Sequence, residues 1–122
     1  MDVKLDSVVE KAVNHFAHGL RELLGKDLLA VKLFGSHARG KATPDSDIDM
    51  FVLVRELTGE IETRVSDIAF ETNLTFDLLI SPIVYGEKEF RNPILQETPF
   101  LQKIEQTVLK HQTRQQMPVV LL

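Results

Sequence analysis

One stretch constrains this chain more than any other: residues 34–54, FGSHARGKATPDSDIDMFVLV. An apolar run ends at Phe34 in a Gly35-Ser36 turn, a polar loop follows, and Asp47 and Asp49 stand one residue apart at the start of a second apolar run. A glycine leaving a strand can take backbone angles closed to other residues and lets a ligand approach the main chain. Coiled into one or two helical turns, Ser36 to Gly40 would turn its first amides and the Ser36 hydroxyl toward a phosphate. Residues i and i+2 of a strand point to one side, roughly 6–7 Å apart, so Asp47 and Asp49 converge there while Ile48, Met50, Val52 and Val54 pack the other side. Two anions held together without a counter-charge repel. A hard divalent cation with oxygen ligands, such as magnesium, removes that penalty.

Periodicity places this stretch among other elements. From Ser7 to about Leu24, Val9, Val13, Phe16, Leu20 and Leu24 recur at helical spacing, with Asp6 or Ser7 as cap and Gly25 as stop. His15 and His18 of that helix read as solvated surface residues. Leu28 to Phe34 is a buried strand and Ile48 to Val54 a second. Thr58 caps a further helix whose apolar face is Ile61, Val65, Ile68 and Ala69, with Glu60 and Glu62 well placed in its first turn. Thr75 to Ser81 is expected as a third strand, stopped by Pro82. Tyr85 to Pro93 reads as loop with a turn of helix, and Thr98 to about Gln115 as a last helix packing through Phe100, Leu101, Ile104 and Val108. The apolar end, Val119 to Leu122, suits an edge strand, a cover for a partner, or plain disorder. The expected fold class is α/β (α+β): one domain over residues 1–122, a small mixed sheet flanked by helices.

Composition limits the function. At 122 residues, 43% hydrophobic and 26% charged, the chain can bury a core without disulfides or a structural metal. It has no cysteine, so thiolate chemistry and thiolate zinc sites are excluded and a cytoplasmic location is the natural expectation. The acidic N-terminus does not resemble a signal peptide, and no stretch approaches the length of a membrane span. Net charge is −4, from 14 Lys plus Arg against 18 Asp plus Glu, with the basic residues scattered. Strong nucleic-acid binding, which needs many phosphate contacts, is not expected.

A third acid belongs with the first two. In the expected strand TFDLLI, Phe76, Leu78 and Ile80 share one face and Asp77 lies on the other, where an aspartate is costly unless paired, hydrogen-bonded or near a metal. If that strand lies beside the second, the three carboxylates can meet. Gly-Ser, ten residues, then Asp-x-Asp arises by chance in about one chain of this size in several hundred.

Gly35-Ser36, Ala38-Arg39-Gly40, Ser46 and Asp47-Ile48-Asp49, with Asp77 further on, resemble the nucleotidyltransferase domain of the DNA polymerase β superfamily. The small size is similar to the minimal nucleotidyltransferases that pair with HEPN toxins. The resemblance covers residues 34–54 and the Asp77 segment. It implies a polymerase β-like fold and transfer of a nucleoside monophosphate, AMP in the first instance, from ATP or another nucleoside triphosphate to a hydroxyl. It further implies that Asp47, Asp49 and Asp77 are catalytic and hold two magnesium ions, Asp77 either completing the second metal site or taking the acceptor proton. Gly35 and Ser36 would bind the terminal phosphates. Arg39 is either a phosphate clamp or a salt-bridge partner of Asp45 or Asp47, and His37 either contacts nucleotide or fills loop space. The implied acceptor is a tyrosine of a HEPN toxin, with the chain as antitoxin. Two other readings stand beside it: a catalytically silent antitoxin that neutralises by complex formation, with Val119 to Leu122 as its contact, and an enzyme acting on a small molecule such as an aminoglycoside.

Overall fold

A computed structural model describes residues 7–37, 42–43, 45–92 and 120–121. Helix α1 (Ser7–Leu24) buries Val9, Ala12, Val13, Phe16, Ala17, Leu20 and Leu24 along one side, the stripe its spacing demands. Gly25, with φ 52°, turns the chain out of it as expected. Of the two cap candidates, Ser7 is already helical and Asp6 lies outside the described residues. His15 and His18 are surface residues, each beside a carboxylate: His15 Nε2 is 2.9 Å from Glu71 and His18 Nε2 is 3.0 Å from Glu22.

Strands β1 (Leu28–Phe34) and β2 (Ile48–Val54) fall where the sequence puts them. They run antiparallel, with Phe34 opposite Asp49, Leu33 opposite Met50 and Lys32 opposite Phe51. Helix α2 (Gly59–Phe76) then crosses to β3 (Ile80–Gly86), which lies parallel to β2. A short helix α3 (Glu87–Phe90) follows, and β4 (Val120–Leu121) pairs parallel with β1 at Lys32 and Leu33. The sheet order is β3-β2-β1-β4, so the sheet is mixed, as expected. Of the three fates open to the C-terminal apolar residues, Val120 and Leu121 take the edge-strand one. The expected helix from Thr98 to Gln115 lies outside the described residues.

The sheet divides two apolar clusters. α1 and α2 pack on one face against Val31, Leu33, Ile48, Met50, Val52, Val54 and Ile80. On the other face Leu29, Ala30, Phe51, Leu53 and Phe90 gather, with Phe34 and Tyr85 against them. The Asp47 and Asp49 positions belong to this second face, away from α1 and α2. Among the described residues no helix is long and apolar enough to cross a membrane.

The stretch between β2 and β3 departs from expectation. α2 does start at the Thr58 cap, whose hydroxyl accepts from the Ile61 amide at 3.1 Å. It continues beyond Ala69, however, through residues expected to begin a strand, and ends at Phe76. Asp77 is the left-handed residue that stops it, with φ 53° and ψ 53° and its amide donating to the Asn73 carbonyl. Asparagine and aspartate are the non-glycine residues that most readily take this conformation. The Asn73 side chain then fastens the next strand, accepting from the Ile80 amide at 2.7 Å and donating to the Ile80 carbonyl at 3.4 Å. Pro82 lies within β3 instead of stopping it, which an edge strand tolerates because its outer N–H groups have no ladder partner.

Candidate functional site

The site forms where β1 ends and β2 begins. Gly35 leaves β1 with φ 79°, a left-handed angle that favours glycine. The Asp49 carboxylate lies over it: a Cβ on Gly35 would run into Asp49 Oδ2. The glycine is therefore required twice, once by backbone angle and once by the acid packed on its α-carbon. Half-buried Ser36 and His37 continue the turn, and the remainder of the expected phosphate-binding coil, Arg39 included, lies outside the described residues.

The return limb of the loop is built on Ser46. Its amide donates to the Thr43 carbonyl at 3.0 Å, and its Oγ accepts from the Thr43 amide at 2.9 Å. His37 Nε2 stands 3.2 Å from the Ser46 carbonyl, so the imidazole donates across the mouth of the loop and ties the phosphate-turn limb to the aspartate limb. Beyond the two roles the sequence offers His37, nucleotide contact or loop filler, the structure gives it this cross-tie. Asp47 follows, exposed, and Asp49 is half-buried. The main-chain bond from the Ile48 amide to the Leu79 carbonyl, 2.8 Å, fixes the residue between them to the lead-in of β3.

The third carboxylate is not where the strand reading put it. Asp77 is exposed at the end of α2, and the β3 residue beside Asp49 is Ser81, four positions later. The premise that Asp77 is buried within an apolar strand is therefore corrected. Its carboxylate is exposed to water at the helix stop, so burial gives no argument for a metal there. Among the described residues, no three His, Asp or Glu side chains stand close enough together to hold a metal. Asp47 and Asp49 alone supply a pair of hard oxygen donors at the start of one strand, a donor set that suits magnesium shared with substrate phosphates.

Sequence reasoning passed over Lys32. In the run LLAVKLF it is the one charged residue, and in the fold it is 1% exposed. Its Nζ has no hydrogen-bond partner among the described residues, and burial pushes its ammonium down to about 8. A charge inside an apolar strand needs a reason, and in this fold the residue so placed is Lys32, not Asp77.

Residues 13–111 match the family described as nucleotidyltransferase domain. Three proteins of Methanocaldococcus jannaschii are similar to the chain. The one named "Putative protein adenylyltransferase MJ0141" is 38% identical over 74 residues, 60% of this chain and 75% of that protein. MJ0604, with the same descriptive name, is 31% identical over 86 residues, covering 70% of this chain and 81% of its own. MJ1305, again so named, is 28% identical over 97 residues, 74% of this chain and 66% of its own. No solved structure matches the chain.

Proposed function

The chain belongs to the nucleotidyltransferase domain family and is a nucleotidyltransferase, and on that premise we propose that it transfers AMP from magnesium-bound ATP to a tyrosine of a HEPN toxin and so acts as its antitoxin. The relatives' names support AMP as the group moved and a protein as the acceptor. The tyrosine, the toxin and a cytoplasmic setting follow from the resemblance and the cysteine-free sequence. The observation that carries the reading is the packing of the Asp49 carboxylate on the bare α-carbon of Gly35, which couples the acid to the phosphate turn.

Asp47 and Asp49 would hold the metal, their carboxylates presented at the start of β2. Magnesium, when bound, supplies positive charge to the triphosphate and favours deprotonation of the acceptor hydroxyl. Gly35 leaves room for the polyphosphate at the main chain, and the Ser36 hydroxyl donates to its terminal phosphates. Arg39 adds a guanidinium fork suited to phosphate oxygens. His37 holds the Ser46 carbonyl, and through it the limb that carries Asp47, so that both halves of the site keep their spacing. The acceptor oxygen attacks the α-phosphorus, the bond to the bridging oxygen breaks, pyrophosphate departs and the acceptor proton passes to solvent. Asp77 has no step in this scheme: it caps α2.

The test pairs the purified chain with its HEPN partner, ATP and magnesium. AMP on a partner tyrosine, together with loss of toxicity that requires Asp47 and Asp49, is the expected result. Equal neutralisation by an Asp47→Asn, Asp49→Asn double variant would instead make the chain an antitoxin that acts by binding alone. The pairing of Val120 and Leu121 with β1 gives two of the four tail residues a place in the sheet, which favours the catalytic reading over that alternative.

A further inference from the structure

Lys32 lies on the same face of the sheet as Asp49. On β1 it stands opposite Phe51, while Phe34, two residues on, stands opposite Asp49. Lys32 and Asp49 are therefore diagonal neighbours across the β1–β2 ladder, at a separation of roughly 7–8 Å that long side chains bridge. Below Lys32 the face is apolar, with Ala30, Leu29, Phe51, Leu53 and Phe90. Above it are Asp49 and the Gly35 turn. Lys32 thus stands at the boundary between the aromatic cluster and the candidate site, and among the described residues polar company lies on the site side.

The lysine is costly where it is. Its side chain is buried, its Nζ makes no hydrogen bond among the described residues, and burial disfavours its charged form. Asp49 does not hydrogen-bond it; that carboxylate packs over Gly35, past the end of β1. A buried cation with no partner is the counterpart of an anion that has yet to arrive. The four-carbon stem lets the head move toward the site while the methylenes stay against the apolar face.

We infer that Lys32 is a nucleotide-binding residue, held unpaired beneath the Gly35–Asp49 corner so that its ammonium engages the polyphosphate of the incoming nucleoside triphosphate. The inference rests on the nucleotidyltransferase reading of that corner. It adds a positive charge from the floor of the site to those brought by metal and by the phosphate turn. Because the charge meets the β- and γ-phosphates, it discriminates triphosphate from monophosphate.

The test is Lys32→Met, which keeps the length of the stem and removes the charge. In the nucleotide-free protein this variant melts at a higher temperature than wild type, since it deletes a buried unpaired cation. Its affinity for magnesium–ATP, by calorimetry, falls by about tenfold to a hundredfold, while its affinity for AMP is unchanged. A lysine serving only the fold gives the reverse, a lower melting temperature and the wild-type preference for ATP over AMP, and that result overturns the inference. Wild-type binding of magnesium–ATP with Lys32→Met binding equally well also overturns it and leaves the functional reading standing. Failure of the wild-type protein to bind magnesium–ATP at all removes both.

Discussion

Asp49 occupies the space into which any side chain at Gly35 would grow. Gly35 follows the end of β1 and Asp49 lies on β2, fourteen residues on in sequence, and the two are brought together because Phe34 pairs with Asp49 at the open end of β1 and β2. A side chain at Gly35 needs Asp49 to give way. Gly35→Ala therefore meets two penalties: a left-handed angle, about 1–2 kcal/mol for a residue with a Cβ, and the collision with the carboxylate. In an Asp49→Ala background the collision is gone and only the first remains. Urea unfolding of the two single variants and the double should show a coupling of at least about 1 kcal/mol. Strict additivity would mean that Asp49 does not pack on Gly35.

Asp77 separates a capping role from a catalytic one. Its φ of 53° costs less for glycine than for aspartate, so Asp77→Gly should raise stability by up to about 1 kcal/mol and leave AMP transfer intact. Asp49→Asn should do the opposite, abolishing transfer with little change in stability. Loss of transfer in Asp77→Gly, measured beside its melting curve, would return Asp77 to the metal site.

The charge state of Lys32 gives a pH signature. Burial holds its pKa at about 8 against an ordinary 10.5, so the unfolded chain binds that proton more tightly than the folded one. Below about pH 8 both states are protonated and the burial penalty is fully present. Between there and about 10.5 stability rises with pH, by at most roughly 3 kcal/mol. Lys32→Met should lack this rise, and the difference between the two unfolding free energies across that window isolates it from every other titrating group. Parallel profiles would show that the ammonium is not buried as described.

His37 ties the two limbs of the loop through the Ser46 carbonyl. Its replacement by Ala removes one hydrogen bond, about 1 kcal/mol or less of stability. The larger effect should be on catalysis, because Asp47 follows Ser46 directly. A fall in kcat for AMP transfer with little change in melting temperature is the expected pattern. An unchanged kcat would reduce His37 to loop filler.

Much of this was legible in the sequence for local reasons. β1, β2 and α1 each declare themselves through an unbroken apolar run or a 3.6-residue stripe, and the Gly35, Ser36, Asp47 and Asp49 spacing fixes the corner because both strands end there. What failed depends on contacts far along the chain. TFDLLI alternates like a strand, yet Thr72 is fully buried on α2 and Asn73 clamps Ile80, so the helix runs on and its stop falls on Asp77. Lys32 was illegible in the same way. Whether a lysine in LLAVKLF is exposed depends on what gathers on its face of the sheet, and here Phe51, Leu53 and Phe90 do.

In the proposed function the Gly35–Asp49 corner moves a nucleotidyl group. Incubation of the chain and its protein acceptor with magnesium and ATP labelled at either the α- or the γ-phosphate tests it most directly. The expected result is incorporation of the α-label, none of the γ-label, and no incorporation by the Asp47→Asn, Asp49→Asn double variant. Incorporation of the γ-label, or undiminished α-label incorporation by the double variant, would contradict it.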